Sequence, residues 1–330
     1  MEGKQNDVRG RPIYDREWLA VVIMGVVILV LGLVVYRNWE VLASFQWQVQ
    51  WGRLGISSIF HFLALNSLFL AWHLMISQLA GQRDWALNFR VYSLSTVARR
   101  IPLPIWYLGS RLYYYQKEKV PLTIILNAST LEASLIILSG AICYVLLLPW
   151  YTHIPKLPWW GFVVAIGVLI GSFAVRPSLL VDITNLVLRV MKRSIIPVTI
   201  SQKQLLTWGL TYLATWFLDG VGLYYMVAAL IKSPPEVMNV IGVSTLSAFV
   251  AIISLILPGG LGLKELTMGA LLSYWVPLPV GVVISLLYRV LLTLLEIIWV
   301  GIGYLVYLRY SSAARPKREM ELDYTKELLS

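Results

Sequence analysis

Long apolar runs separated by short polar connections set the pattern of this chain. Seven runs stand out: Trp18–Tyr36, Gly55–Ala80, Pro121–Leu148, Leu157–Val175, Leu205–Ile231, Glu236–Leu257 and Leu278–Leu308. Crossing a hydrocarbon core of about 30 Å takes roughly 20 helical residues, so these runs predict membrane-spanning helices. One run ends unusually. In "LILPGGLGLKEL" (255–266), Pro258, Gly259 and Gly260 break the helix just before Lys264 and Glu265. Proline removes a backbone donor and lipid offers no replacement, so the break needs protein or a wet cavity around it.

Basic residues sort between the connections. Four Lys and Arg precede Trp18, seven lie in 81–120, five in 176–204 and five from Arg309 onward. The alternate connections carry only Arg37 and Arg53, then Lys156, then Lys232. The rich segments are expected on the cytoplasmic side, which places both termini there. Seven full crossings would send the tail to the opposite side. The conflict disappears if 236–257 enters from outside, turns at Pro258-Gly259-Gly260 and returns along 263–275.

An internal repeat points the same way. "IPLPIWYLGSRLYYYQKEKVPL" (101–122) is similar to "LPGGLGLKELTMGALLSYWVPL" (257–278): each starts at an apolar-Pro pair and ends in Val-Pro-Leu before a long apolar run. By this match 88–116 forms a first hairpin, entered from the cytoplasm, and 236–276 a second, entered from outside. The predicted architecture is an all-α polytopic membrane protein with about six full spans and two re-entrant helical hairpins in an inverted repeat. Its parts are a cytoplasmic segment 1–17, a first repeat 18–148, a second repeat 157–308 and a basic cytoplasmic tail 309–330.

Composition agrees. Hydrophobic residues make up 58% and charged residues 13%, with mean hydropathy +0.72, far from a soluble domain. The net charge of +10 then reads as basic faces against anionic lipid, and nucleic-acid binding is not expected. The first run ends in "VVYRNWE" without a small-residue cleavage site, so no cleaved leader is expected. Cys143 is the single cysteine, which rules out an internal disulfide and a cysteine metal site. No nucleotide-binding loop, zinc-hydrolase pattern or nucleophile elbow occurs. No metal, cofactor or enzymatic activity is expected.

The candidate chemistry is ionic. The first hairpin holds Arg99, Arg100 and Arg111 among Trp106, Tyr107, Tyr113, Tyr114 and Tyr115. A guanidinium fork suits phosphate, and aromatic rings suit the headgroup depth. The second offers Gly259, Gly260 and Gly262 before a helix start, where free backbone donors can receive an anion, with Lys264 adding a full charge. Glu265 is expected to pair with Lys264 or with an arginine elsewhere. Isolated charges in the long runs, Glu132, Asp219, Arg289 and Glu296, must face the bundle interior, because a lipid-facing charge costs at least about 2.5 kcal/mol. The repeat places Glu132 where Tyr288 or Arg289 stands in the second half, which suggests a Glu132–Arg289 pair. His61 and His73 are twelve residues apart, about 18 Å along a helix, and cannot share a metal. An interfacial or packing role is expected of them first, with a proton relay through a span histidine or carboxylate as the alternative.

These residues carry a family resemblance. "SLILPGGLGLKELTMGALL" followed by "VVISLLYRVLLTLLEIIW" resembles the C-terminal half of the lysylphosphatidylglycerol synthase transmembrane-region family, also called flippase-like domain proteins. "RRIPLPIWYLGSRL" followed by "LNASTLEASLIIL" resembles its N-terminal half, except that Pro102-Leu103-Pro104 stands where the family often has Pro-Gly. The resemblance covers most of 18–308. It implies a polytopic protein of the inner or plasma membrane that moves a lipid between leaflets. The soluble aminoacyl transferase fused to this region in the best-known members has no counterpart here, so lipid aminoacylation is not expected.

The expected activity is flipping or scrambling of a phosphate-bearing lipid: a phospholipid, a glycolipid or a polyprenyl-phosphate carrier. Arg99, Arg100, Arg111, Gly259, Gly260, Gly262, Lys264 and Arg289 would take the headgroup. Glu132, Asp219, Glu265 and Glu296 would balance charge or carry a coupling proton. Partners would be membrane lipids, anionic ones first, and a lipid-modifying enzyme or glycosyltransferase. Two alternatives stand beside this: an integral-membrane headgroup transferase, or a subunit that anchors a lipid-modifying enzyme.

Overall fold

The computed structural model describes residues 17–98, 104–150, 167, 185–186, 189, 200–253 and 262–327. Arg99, Arg100, Pro258, Gly259 and Gly260, most of the run at 157–175 and most of the connector 176–204 lie outside the described residues. Among the described residues all regular structure is helical: α1 (Glu17–Arg37), α2 (Trp39–Ser44), α3 (Trp51–Ala80), α4 (Trp85–Ala98), α5 (Pro104–Lys117), α6 (Leu122–Leu147), α7 (Gln202–Leu230), α8 (Val237–Ile253), α9 (Leu263–Leu272) and α10 (Leu278–Glu327).

Among the described residues four segments are long and apolar enough to cross a bilayer: Trp51–Ala80, Leu122–Trp150, Gln202–Leu230 and Leu278–Arg309. Their outward faces carry Ile59, Leu63, Leu70, Leu210, Val290, Leu294 and Ile297 exposed, as lipid contact requires. The connection after α1 holds the short helix α2, which the hydropathy pattern does not announce. The C-terminal tail continues α10 to Glu327.

α3 and α7 form the centre and run antiparallel. Ser57 Oγ donates to Gly222 O at 2.7 Å and Ser67 Oγ to Thr211 O at 2.9 Å, so residues advance on one helix as they recede on the other. The start of α3 therefore meets the end of α7, where Gln48 and Gln50 backbone amides donate to Leu230 and Ala229 carbonyls at 3.1 and 3.0 Å. Arg53 Nη1 donates to Ala228 O at 2.7 Å at the same place.

This antiparallel pair defines two ends of the bundle. At one end Leu42, Ile231 and Val276 bury together, with Phe45, Trp47 and Trp275 packed on them. At the other, Val120 and Ile200 share a buried cluster against which Leu79 and Ala80 pack. The helix pair α4–α5 leaves and rejoins the bundle at the second end, through Gly81 and Val120. The pair α8–α9 leaves and rejoins at the first, through Ile231 and Val276. The two pairs are rooted at opposite ends.

Their packing is reciprocal. α4 lies against α10, the last long helix of the second half, and α8 lies against α6, the last long helix of the first. α5 also touches its own successor α6, and α9 its own successor α10. Small residues permit the closest approach: a Cβ on Gly269 would sit 2.7 Å from a Val282 methyl, and one on Gly281 would sit 2.7 Å from Gly269 O. Without a hydrophobic drive inside lipid, such backbone-to-backbone contact is what holds helices together.

Candidate functional site

Two buried ionic clusters sit at the joints between the short pairs and the long helices. In the first, Arg111 on α5 meets Glu132 on α6 at 2.5 Å, with side chains 0% and 1% exposed. An ion pair this deep needs further partners for its donors and lone pairs, and here all but Arg111 Nη2 on the guanidinium side find one. Here Glu132 also accepts from Tyr92 Oη at 3.0 Å and Tyr107 Oη at 2.5 Å. Arg111 Nε donates to Ser95 Oγ at 3.2 Å and Nη1 to Ser129 Oγ at 3.3 Å. The guanidinium lies 3.7 Å from the Trp72 ring centroid and 4.3 Å from that of Tyr107. Beneath it Tyr115 Oη receives Trp72 Nε1 and donates to Asn88 Oδ1, both at 2.9 Å.

The second joint uses the same device with the charges exchanged. Glu265, on the short helix α9, pairs with Arg289 on the long helix α10. Glu265 is the third residue of α9, and its second oxygen accepts the Gly262 amide at 2.7 Å, capping the helix start. Gly262 has φ 85°, which a side chain would strain. Unlike the first pair this one is open at one end: Arg289 is 24% exposed, against 4% for Glu265.

Beside it lies a third group. Asp219 on α7 accepts from Tyr288 Oη at 2.8 Å and from Ser244 Oγ at 2.7 Å. His61 Nδ1 on α3 stands 3.3 Å from Asp219 Oδ1. Lys264, half-buried in the first turn of α9, places Nζ 5.3 Å from the Tyr288 ring centroid. A cation there opposes the helix macrodipole, so packing alone does not favour a lysine at this position. Among the described residues it makes no ion pair within 4 Å.

The structure therefore revises the expected pairing. Glu132 and Arg289 do not meet: each is held by the charge on its own half's short helix. The expected cross-half pair is replaced by two pairs, each between a short helix and the long helix that follows it. Of Glu265's two expected partners, the distant arginine is the one found. Arg111 is sealed away, while Gly262, Lys264, Glu265, Arg289 and Asp219 gather at one place. Glu296 lies half-buried on α10, two turns beyond Arg289. Arg99, Arg100, Gly259 and Gly260 lie outside the described residues.

Sequence reasoning favoured an interfacial or packing role for His61 over a proton relay and did not place it beside Asp219. The available signal was a histidine in an apolar run opposite a glycine: a Cβ on Gly222 would come within 2.5 Å of the ring. It also passed over Tyr92, Ser244 and Arg90, whose guanidinium sits between the Tyr114 and Tyr307 rings at 4.8 and 4.1 Å.

An all-helical polytopic membrane protein, with charged short helices packed into long apolar ones, is the class this arrangement defines. The family model described as Lysylphosphatidylglycerol synthase TM region matches residues 18–299, and the chain belongs to that family. A comparison with curated proteins returned no match, and one with solved structures returned none. Family membership supports a function concerned with membrane lipids.

Proposed function

We propose that this protein moves a phosphate-bearing lipid across the bilayer, the headgroup passing the second short pair while the acyl chains stay in lipid. One observation carries the reading. Lys264 heads α9 directly after the Gly262 turn, half-buried, without an ion pair among the described residues, beside the open end of the Glu265–Arg289 pair. A lysine and a partly exposed arginine at a helix start are the groups a phosphate monoanion needs.

The roles then divide. Lys264 and the exposed edge of Arg289 receive the headgroup, while the Gly262 amide stays with Glu265 in the helix cap. Arg111, fully enclosed by Glu132 and four aromatic and hydroxyl groups, holds the first pair in place. Pairs rooted at opposite ends support an inverted repeat, the architecture in which a broken helix from each side can line one path. Arg83, Lys117, Lys119 and Lys203 mark one end of the bundle, and the other carries Arg37, Arg53 and Lys232 among the described connections, which supports the first as the cytoplasmic face.

The test is purified protein in phosphatidylethanolamine–phosphatidylglycerol vesicles containing fluorescent phosphatidylglycerol, read by quenching of the outer leaflet. Wild type should equilibrate the label between leaflets. Lys264→Gln should slow it about tenfold, equivalent to one charge-assisted contact of about 1.4 kcal/mol. Folded wild-type protein that moves neither phosphatidylglycerol nor a polyprenyl phosphate would reject the reading.

A further inference from the structure

We propose that His61 and Asp219 form a proton-binding site whose occupancy is coupled to anion binding at Lys264. The inference rests on the lipid reading above and adds a second ligand, the proton, to the same site.

The geometry carries it. His61 is 1% exposed, ten residues and so about 15 Å into α3. Its Nδ1 stands 3.3 Å from Asp219 Oδ1, close enough for an ion pair yet off the line of a good hydrogen bond, and its Nε2 has no hydrogen-bond partner. A buried polar atom left without a partner is costly and uncommon. Adding a proton to His61 turns that contact into a charge-assisted one, so the site is built around a group waiting for it.

The surrounding charges decide what the proton does. From α7 the ring faces Asp219, and from α10 Tyr288, whose ring centroid is 5.0 Å away. Lys264 on α9 reaches the same Tyr288, and Ser244 on α8 binds the far oxygen of Asp219. Glu265 and Arg289 neutralise one another. With His61 neutral, Asp219 and Lys264 balance. A phosphate arriving at Lys264 then leaves one uncompensated negative charge within an apolar bundle, which is expensive. A proton on His61 cancels it by taking up the charge of Asp219 and releasing Lys264 to the phosphate. Proton and anion therefore enter together and leave together. By linkage each raises the affinity for the other by the same factor.

Two readouts separate this inference from the lipid reading. The first needs no transport. The chain has three histidines, His61, His73 and His153, so ring-labelled histidine gives three resolvable signals in the intact detergent-solubilised protein. The signal lost in His61→Gln should change with pH, as a proton-binding site requires. Dihexanoyl-phosphatidylglycerol should increase its proton affinity about fivefold or more, the low end of ordinary coupling. Octyl glucoside should not. Asp219→Asn should reduce the protonated fraction in a protein that keeps His61, which covers the case where His61→Gln fails to fold. A signal indifferent to pH, or to the anionic lipid, overturns the inference.

The second readout is the vesicle assay. Wild-type lipid movement should be faster at pH 6 than at pH 8, and the His61→Gln profile should be flat. Identical profiles with lipid still moving overturn the proton site and leave the lipid reading standing. No lipid movement at any pH rejects the lipid reading, and the histidine signals alone then decide the proton site.

Discussion

At the residue scale the two joints are the same solution in opposite polarity: Arg on the short helix and Glu on the long one in the first half, Glu on the short helix and Arg on the long one in the second. Breaking a buried pair strands a charge and costs about 3–5 kcal/mol. Arg111→Glu alone should therefore abolish a cooperative thermal transition or lower it steeply. Because the second joint already works with exchanged signs, Arg111→Glu with Glu132→Arg should recover most of the lost stability in the same melt. Recovery will be incomplete, since Trp72 loses the guanidinium at 3.7 Å that now covers its ring. Arg289→Met should be milder than Arg111→Met, because Arg289 is 24% exposed and the fold encloses it less than Arg111. Equal losses in the two melts would reject this contrast between a sealed joint and an open one.

At the element scale the short helices are positioned by turns and by close glycine contacts. Gly262 sits at positive φ, so Gly262→Ala should destabilise by about 1 kcal/mol and loosen the cap that Glu265 provides. Gly269→Val should do more, because its branched side chain meets Val282 backbone atoms within about 3 Å and forces α9 off α10. Reduced thermal stability together with a disrupted Glu265–Arg289 pair, read as loss of the additional penalty on Arg289→Met, would check both. Elements of this kind are partly legible in a sequence. Pro258-Gly259-Gly260 and Val-Pro-Leu are one-dimensional signals, and the range 88–116 read with them overlaps α4 and α5, which run from Trp85 to Lys117. The contacts between elements are not. His61 and Asp219 lie on helices 158 positions apart in the chain, and only the antiparallel register of α3 and α7 brings them to 3.3 Å. The crossed assignment of Glu132 to Arg289 failed for the same reason: spacing fixes which helix a charge occupies, and packing chooses its partner.

At the scale of the whole molecule the decisive feature is that the short pairs are rooted at opposite ends. The hydrogen bonds from Gln48 and Gln50 to the end of α7 tie the connection before α3 to the connection after α7. Both belong to the basic-poor set. Ile200 and Val120 cluster at the other end, among connections that carry Arg83, Lys117, Lys119 and Lys203. The charge pattern and the packing thus sort the connections identically, although neither depends on the other. In a bilayer this makes a sharp expectation. With Cys143→Ser as background, a cysteine at Arg83 or Glu118 should react with a membrane-impermeant maleimide from one face only, and one at Lys232 or Tyr274 from the opposite face only. Intact right-side-out and inverted vesicles give the two faces separately. Arg83 and Glu118 should label in inverted vesicles, where the cytoplasmic side is outward. If Lys232 and Glu118 label from the same face, α7 and α3 cannot both cross as an antiparallel pair. The path between opposed short helices would then have no entrance at one end, and movement of a headgroup from leaflet to leaflet would lose its route.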